Sequence, residues 1–330
     1  MNEHPARKMV SVLVIAYNHK GFILDCLKSI EHQSYENIEL IINDDCSKDG
    51  TFELAKDWCE QHRDRFTNCI CVQNTNNLGL VKNCNSAIGR ANGDYIKLIA
   101  SDDMLLPKAI EAMAEYLDVN EQVQLACSNA VLVSEETIYG ELENPGFEVF
   151  YKKKPNFEKN VFDNLFLYNY ILAPTVMVRK STYLQYGLYD ENGKFEDWEY
   201  WLRVTSAGGQ IGYIDQLLVA YRVMDASMSH FEMGSNGENK YRDFLKEQVR
   251  VLMQYKTKTS NSLDFFYNKA LLYAVSMNYP NALLEILETK FRIYFKTLLK
   301  LVLVQRKSLK EVAHIYVTHI GNGKNEKNNS

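Results

Sequence analysis

Proline and glycine are sparse, six and sixteen in 330 residues, and no low-complexity run interrupts the chain. That excludes collagen-like and disordered architectures and, with 46% hydrophobic residues, leaves a packed core as the expectation. No stretch reaches the roughly eighteen apolar residues needed to span a bilayer, and Met1 to Lys8 lacks the apolar centre of a signal peptide. The chain therefore reads as cytoplasmic. An excess of positive charge is also missing: a net charge of -5 gives no general pull toward nucleic acid, so an anionic ligand must be held locally. Seven cysteines make no disulfide framework, and Cys69-x-Cys71 has no second pair at zinc spacing, a pattern that fits reduced thiols. Neither G-x-G-x-x-G after the first strand nor G-x-x-x-x-G-K-[ST] anywhere is present, which removes the main support for a dinucleotide dehydrogenase or a P-loop enzyme.

What is present begins with alternation of strands and helices. Val10 to Ala16 is a β-branched run, followed by Phe22, Ile23, Cys26, Leu27 and Ile30 at helical spacing, then a strand over Ile38 to Ile42. Thr51 to about Gln61 and a stretch from about Leu80 read as helices; Cys69 to Gln73 and Asp94 to Ala100 read as strands. Four strands alternating with three helices predict an α/β fold with a mainly parallel sheet. A helix over Lys108 to Leu117, a strand over Gln124 to Val133, irregular sequence to Pro155 and a strand near Thr175 to Arg179 follow. From about Asn239 the pattern turns helical.

The ends of these strands carry the chemistry. The fourth strand runs into Asp102-Asp103, two hard oxygen donors where open α/β sheets bind ligands. A metal site and a capping turn before Pro107 are both open to that pair. Ala16-Tyr17-Asn18 ends the first strand with an aromatic ring and an amide suited to a base. Asp44-Asp45 and Asp49 form a second acidic cluster at the same sheet edge. Gly79, Lys82 and Asn83 stand at a helix start able to offer amides and a positive charge to a phosphate.

In series, Val10 to Asn18, then Asp44-Asp45-x-Ser47-x-Asp49-Gly50-Thr51, Asn77-Leu78-Gly79, Gly93-Asp94-Tyr95 leading to Asp102-Asp103, Glu196-Asp197-Trp198 with Trp201-Leu202-Arg203, and Tyr221-Arg222 with Ser227 and Ser229, resemble the family-2 glycosyltransferases. The match covers roughly residues 9 to 231. The resemblance implies the glycosyltransferase-A fold, a Rossmann-like αβα sandwich, and inverting transfer of a sugar from a nucleotide diphosphate, with a UDP-sugar expected. It implies Ala16, Tyr17 and Asp45 at the nucleobase, Asn18 beside them, Asp102 on the ribose side, Asp103 as ligand of Mg2+ or Mn2+, and Asp197 as catalytic base. Arg222 and His230 would close over the diphosphate, His230 as a third metal ligand. Cys46 stands where the family usually has glycine, tolerable with φ below zero. The Q-x-x-R-W motif of processive members is absent, so addition of one sugar per encounter is expected.

A catalytic domain over residues 1–236 is expected, with a nucleotide-binding half over 9–103 and an acceptor half over 104–236, then a helical region over 237–321 and a disordered tail over 322–330. Residues 290–320 alternate basic and apolar side chains, consistent with contact to an anionic membrane surface at the inner face of the cell membrane or with a packed helix. The expected acceptor is a glycan or a polyprenyl-diphosphate-linked glycan of a surface polysaccharide. Two other readings remain: a sugar-nucleotide pyrophosphorylase, which should carry a glycine-rich loop after the first strand, and a non-catalytic nucleotide-sugar binding module, which should have lost Asp103 or Asp197.

Overall fold

The computed structural model describes residues 7–142, 146–167 and 169–224, with residues 247, 250, 251, 254 and 255. The chain divides into two compact units, Met1–His230 and Phe231–Ser330. The expected boundary at 236, the 290–320 segment, the tail and, apart from those five residues, the helical region lie outside the described residues.

Every residue of β1 (Val10–Ala16) and β2 (Ile38–Asp44) is buried, as expected for strands covered on both faces. Between them α1 (Ile23–Glu31) turns Ile23, Cys26, Leu27 and Ile30 inward, a single apolar stripe. α2 (Thr51–Gln61), β3 (Asn68–Gln73), α3 (Leu80–Arg90) and β4 (Tyr95–Ala100) continue the alternation. These four strands are parallel in the order β3-β2-β1-β4. β1 thus lies between a strand that follows it immediately in sequence and one that follows much later. Order reverses there, and in open α/β sheets the crevice outside such a reversal is where ligands sit.

The second half extends the sheet with mixed polarity. It comprises β5 (Met104–Leu105), α4 (Ala109–Val119), β6 (Val123–Val133), β7 (Glu148–Val149), α5 (Val161–Leu167), β8 (Val176–Arg179), α6 (Lys180–Tyr186), α7 (Asp197–Ser206) and β9 (Gln210–Arg222). The sheet continues from β4 through β8, β6 and β9 to β5, while β7 pairs with β6. β8 is antiparallel to both β4 and β6, whereas β6 and β9 are parallel. The expected αβα layering with a mainly parallel first half is present. Helix α4 begins one residue later than the pattern suggested because Lys108 has φ 64, the left-handed region, and cannot continue a helix.

The cysteine reading needs correction. Cys59 on α2 and Cys69 on β3 are joined as a disulfide, their Cα atoms 6.3 Å apart, because helix and strand pack with these two positions facing. Cys26, Cys84 and Cys127 are buried free thiols, and Cys46 and Cys71 are half-buried.

Candidate functional site

The carboxyl ends of β1, β2 and β4 share one edge of the sheet, with Ala16 opposite Asp44 and Ile15 opposite Ala100. The turns leaving them are cross-braced. Asn18 accepts the Lys48 N–H on Oδ1 at 2.9 Å while its own N–H donates to Ser47 Oγ at 2.8 Å. With φ 53, Asn18 turns the chain so that Tyr17 stands 45% exposed. Ala16 is fully buried, and its part is played by backbone: its carbonyl accepts the Asp45 N–H at 2.8 Å. Cys46 has φ 65, which overturns the expectation of a negative φ and explains why glycine suits this position.

The acidic cluster after β2 separates into different roles. Asp44 is buried beneath Ser47 and Gln73, and Asp49 caps the start of α2 through Thr51. Asp45 reaches across to the loop before α3. Its Oδ1 accepts Asn74 Nδ2 at 2.9 Å and the Leu78 N–H at 2.8 Å, and its Oδ2 accepts the Gly79 N–H at 2.8 Å. Asn74 also donates to Asn83 Oδ1, which Asn43 Nδ2 meets from below at 2.6 Å. A polar network thus holds Asp45 and Gly79 together under Tyr17's side of the edge. Lys82 is exposed on the first turn of α3.

Asp102 and Asp103 sit at the exit of β4. Asp103 is 2% exposed and accepts the Arg222 N–H on Oδ1 at 2.9 Å. Burial, then the adjacent Asp102 charge, push the Asp103 carboxyl well above the usual carboxylate range; the Arg222 N–H, Lys97 and the Arg222 charge oppose that rise. Asp102 Oδ1 is a buried oxygen with no hydrogen-bond partner; His19 Nδ1 lies 3.7 Å away and is itself bonded to Ser101 Oγ at 2.8 Å. Both features fit a hard divalent cation, whose charge would pair the orphaned oxygen and favour ionised Asp103. Among the described residues no three His, Cys, Asp or Glu side chains come together as a metal cluster. His230 lies outside the described residues.

Arg222 departs from the expectation of a diphosphate clamp. It is 1% exposed, and its guanidinium donates to the carbonyls of Asp102, Ser134, Glu135 and Thr137 while lying over the Phe22 ring at 4.8 Å. With those donors committed to backbone, it fastens the 134–137 turn to the Asp pair instead of facing a ligand.

Asp197 opens α7. Its Oδ1 accepts the Trp198 N–H at 2.6 Å and its Oδ2 accepts Asn169 Nδ2 at 2.7 Å. Desolvation raises the half-buried Asp197 carboxyl against these two donors, and the half-buried Glu196 is pushed up to about 8 by desolvation and then by the Asp197 charge. The Cys84 thiol on α3 is raised first by burial and then by both Glu196 and Asp45, which links the start of α7 electrostatically to the loop end of the site. Sequence reading missed His19, Asn74 and Asn169. His19 follows Tyr17-Asn18 directly and had a local signal; Asn169 lies far from Asp197 in sequence and had none.

Comparison with known proteins yields the following. Residues 11–182 match the sequence model of the family described as Glycosyl transferase family 2. An uncharacterized glycosyltransferase of Haemophilus influenzae is 27% identical over 219 residues, 65% of each chain, so this chain spans just under two thirds of that relative. The Escherichia coli protein named UDP-Glc:alpha-D-GlcNAc-diphosphoundecaprenol beta-1,3-glucosyltransferase WfaP is 25% identical over 264 residues, 79% of this chain and 92% of WfaP. Among solved structures, the mannosyltransferase PcManGT of Pyrobaculum calidifontis, in complex with GDP-Man and Mn2+, superposes with a TM-score of 0.57 at 15% identity, covering 96% of this chain and 88% of that one. Such identity speaks for the fold alone.

Proposed function

Because the chain belongs to glycosyl transferase family 2 and has the glycosyltransferase-A fold, we propose that it is an inverting, metal-dependent transferase moving one sugar from a UDP-sugar to a lipid-linked glycan. The acceptor assignment draws on the likeness to WfaP and belongs to surface polysaccharide assembly. The observation that carries the reading is the gathering of Tyr17, Asp45 and the Asp102-Asp103 pair at the β1/β4 reversal of the sheet. The catalytic machinery is assigned to residues 1–236. Intact Asp103 and Asp197 disfavour a binding module, and Ala16-Tyr17-Asn18 lacks the glycine-rich loop of a pyrophosphorylase.

In this reading Tyr17 stacks on the base, and Asp45, whose Oδ2 has a free lone pair beside the Gly79 bond, accepts the imide N–H of uracil. Asn18 and Ala16 hold that turn through side chain and carbonyl respectively, and Lys82 supplies charge at the helix start. Asp102 lies toward the ribose with its unpaired Oδ1 also open to a cation, and Asp103 would be the main ligand of the metal that meets the diphosphate, with Arg222 as their support. A bound Mg2+ or Mn2+ would neutralise charge on the departing diphosphate. Asp197 takes the proton of the attacking acceptor hydroxyl, and its raised affinity for a proton suits a general base. Single displacement inverts the anomeric carbon.

The test is release of UDP, GDP or dTDP from a panel of nucleotide sugars, with Mn2+ and a polyprenyl-diphosphate sugar. UDP release that depends on acceptor is expected; transfer from none of the donors would sink the proposal. Asp197→Asn should lower turnover by at least about a hundredfold, within the range for loss of a general base, while nucleotide binding by calorimetry stays near the wild-type level.

A further inference from the structure

Asp197 is placed by contacts from two directions. Behind it, Trp198 Nε1 donates to the Leu165 carbonyl at 2.7 Å, tying the start of α7 to α5. In front of it stands Asn169, an exposed residue between α5 and β8 whose Nδ2 donates to Asp197 Oδ2 at 2.7 Å. The orientation of that amide is determined by its other end, where Oδ1 accepts the Ile171 N–H at 3.3 Å; turned over, it would set an oxygen against the carboxylate.

The stretch that presents Asn169 is anchored in the core. The Tyr151 hydroxyl donates to the Tyr170 carbonyl, and Lys97 Nζ, on a lysine with no exposed surface, donates to the Pro174 carbonyl. A buried lysine spent on backbone carbonyls is an expensive fixture; Lys97, which also donates to the Leu98 carbonyl, ties the Ala173–Thr175 turn that follows Asn169 to β4. The exposed asparagine is thus followed directly by backbone anchored at Tyr170 and Pro174, the kind of support that holds a reactive group in one orientation.

We infer that Asn169 is a positioning residue for the Asp197 carboxylate, fixing its plane and leaving one lone pair aimed at the acceptor hydroxyl. This rests on the reading of Asp197 as the base. With Oδ1 held by the Trp198 N–H and Oδ2 by Asn169, rotation about the carboxylate bond would break both contacts. The Asn169 amide also opposes the rise that burial imposes on this carboxyl. Among the described residues, the charged groups next to Asp197 on its own element include Glu196, which precedes it, and Glu199 paired with Arg203 on the same helix. The elements packed on α7 carry Asp163 on α5, and Asp215 and Arg222 on β9.

The experiment uses the full chain with 13Cγ-labelled aspartate, the Asp197 signal being the one lost in Asp197→Asn. Its titration midpoint is followed by NMR in wild type, Asn169→Ala and Asn169→Asp, alongside turnover with whichever donor of the nucleotide-sugar panel the wild type uses. The midpoint should rise by at least about half a unit in Asn169→Ala, as expected for loss of a hydrogen bond to the charged form, and further in Asn169→Asp. The acid limb of turnover should move the same way, with KM for the donor unchanged. Should Asn169→Asp fail to melt cooperatively, Asn169→Ser, whose shorter side chain stops short of Asp197, takes its place and should resemble Asn169→Ala. Midpoints equal to wild type in folded variants would overturn the role of Asn169. Full activity in Asp197→Asn would instead overturn the base assignment and leave the titration result standing.

Discussion

At the scale of single residues, two positions carry strain that function explains better than stability does. Cys46 adopts φ 65 immediately after Asp45, a conformation that costs an L-residue roughly 1–2 kcal/mol relative to glycine. Cys46→Gly relieves it, offset in part by the greater freedom of glycine in the unfolded chain. A net gain of up to about 1 kcal/mol in denaturant unfolding is expected, with nucleotide binding retained. Glu196 presents the opposite problem, a half-buried carboxyl raised from its ordinary value to about 8. Below pH near 4.5 the group is protonated folded and unfolded and costs nothing; between that value and about 8 only the unfolded chain releases its proton, so stability falls as pH rises. Glu196→Gln should therefore melt like wild type at pH 4.5 and gain on the order of 1–2 kcal/mol over it at pH 8.5, discounting the full shift for partial exposure. A gain at low pH instead would assign the effect to packing.

At the scale of elements, the sheet was legible wherever burial on both faces or a single apolar stripe left a clean period. The α2 helix runs over Thr51–Gln61 and α3 starts at Leu80, as the spacing indicated, and β1 covers Val10–Ala16. β9 was not legible. Asp215 to Leu217 are exposed in its middle, and the pairing with β6 slips at Ser128/Asn129 and Asn129/Ala130, so alternation breaks where a strand continues. Arg222 at its end read as a ligand because a lone arginine late in a sequence carries no sign of the four carbonyls awaiting it. Gly93 gives the element-scale prediction. A Cβ there would lie 2.6 Å from the Ser11 nitrogen and 2.8 Å from the Met9 carbonyl, so backbone must move where β1 meets the approach to β4. Gly93→Ala should lower stability by about 1–3 kcal/mol, the usual range for overpacking. Gly93 lies at the amino ends of the strands, away from Asp45 and Asp103, so turnover per folded molecule should survive; a selective loss of donor affinity would show that the two ends of the sheet are coupled.

At the scale of the whole molecule, the site ties pieces far apart in sequence into one electrostatic unit. Asp45 closes on the 74–79 loop, Arg222 links the Asp pair to the 134–137 turn, and the charges of Glu196 and Asp45 add to the burial that keeps the Cys84 thiol protonated. This unit holds a buried Asp102 oxygen without a hydrogen-bond partner and an Asp103 carboxyl that burial drives toward protonation. A divalent cation at this pair meets two carboxylates that repel each other, and a diphosphate alone faces those carboxylates unscreened. Together each supplies what the other needs, which by linkage makes their binding free energies non-additive. Thermal unfolding should then show small shifts with Mn2+ or UDP separately and a larger one with both, about 2–4 °C per kcal/mol of added stability for a domain of this size. Asp103→Asn should abolish the excess while leaving the shift from UDP alone. Additive shifts in the wild type would mean that nucleotide and cation do not meet at this pair, and the metal-dependent part of the proposed mechanism would fall while the fold and the family stand.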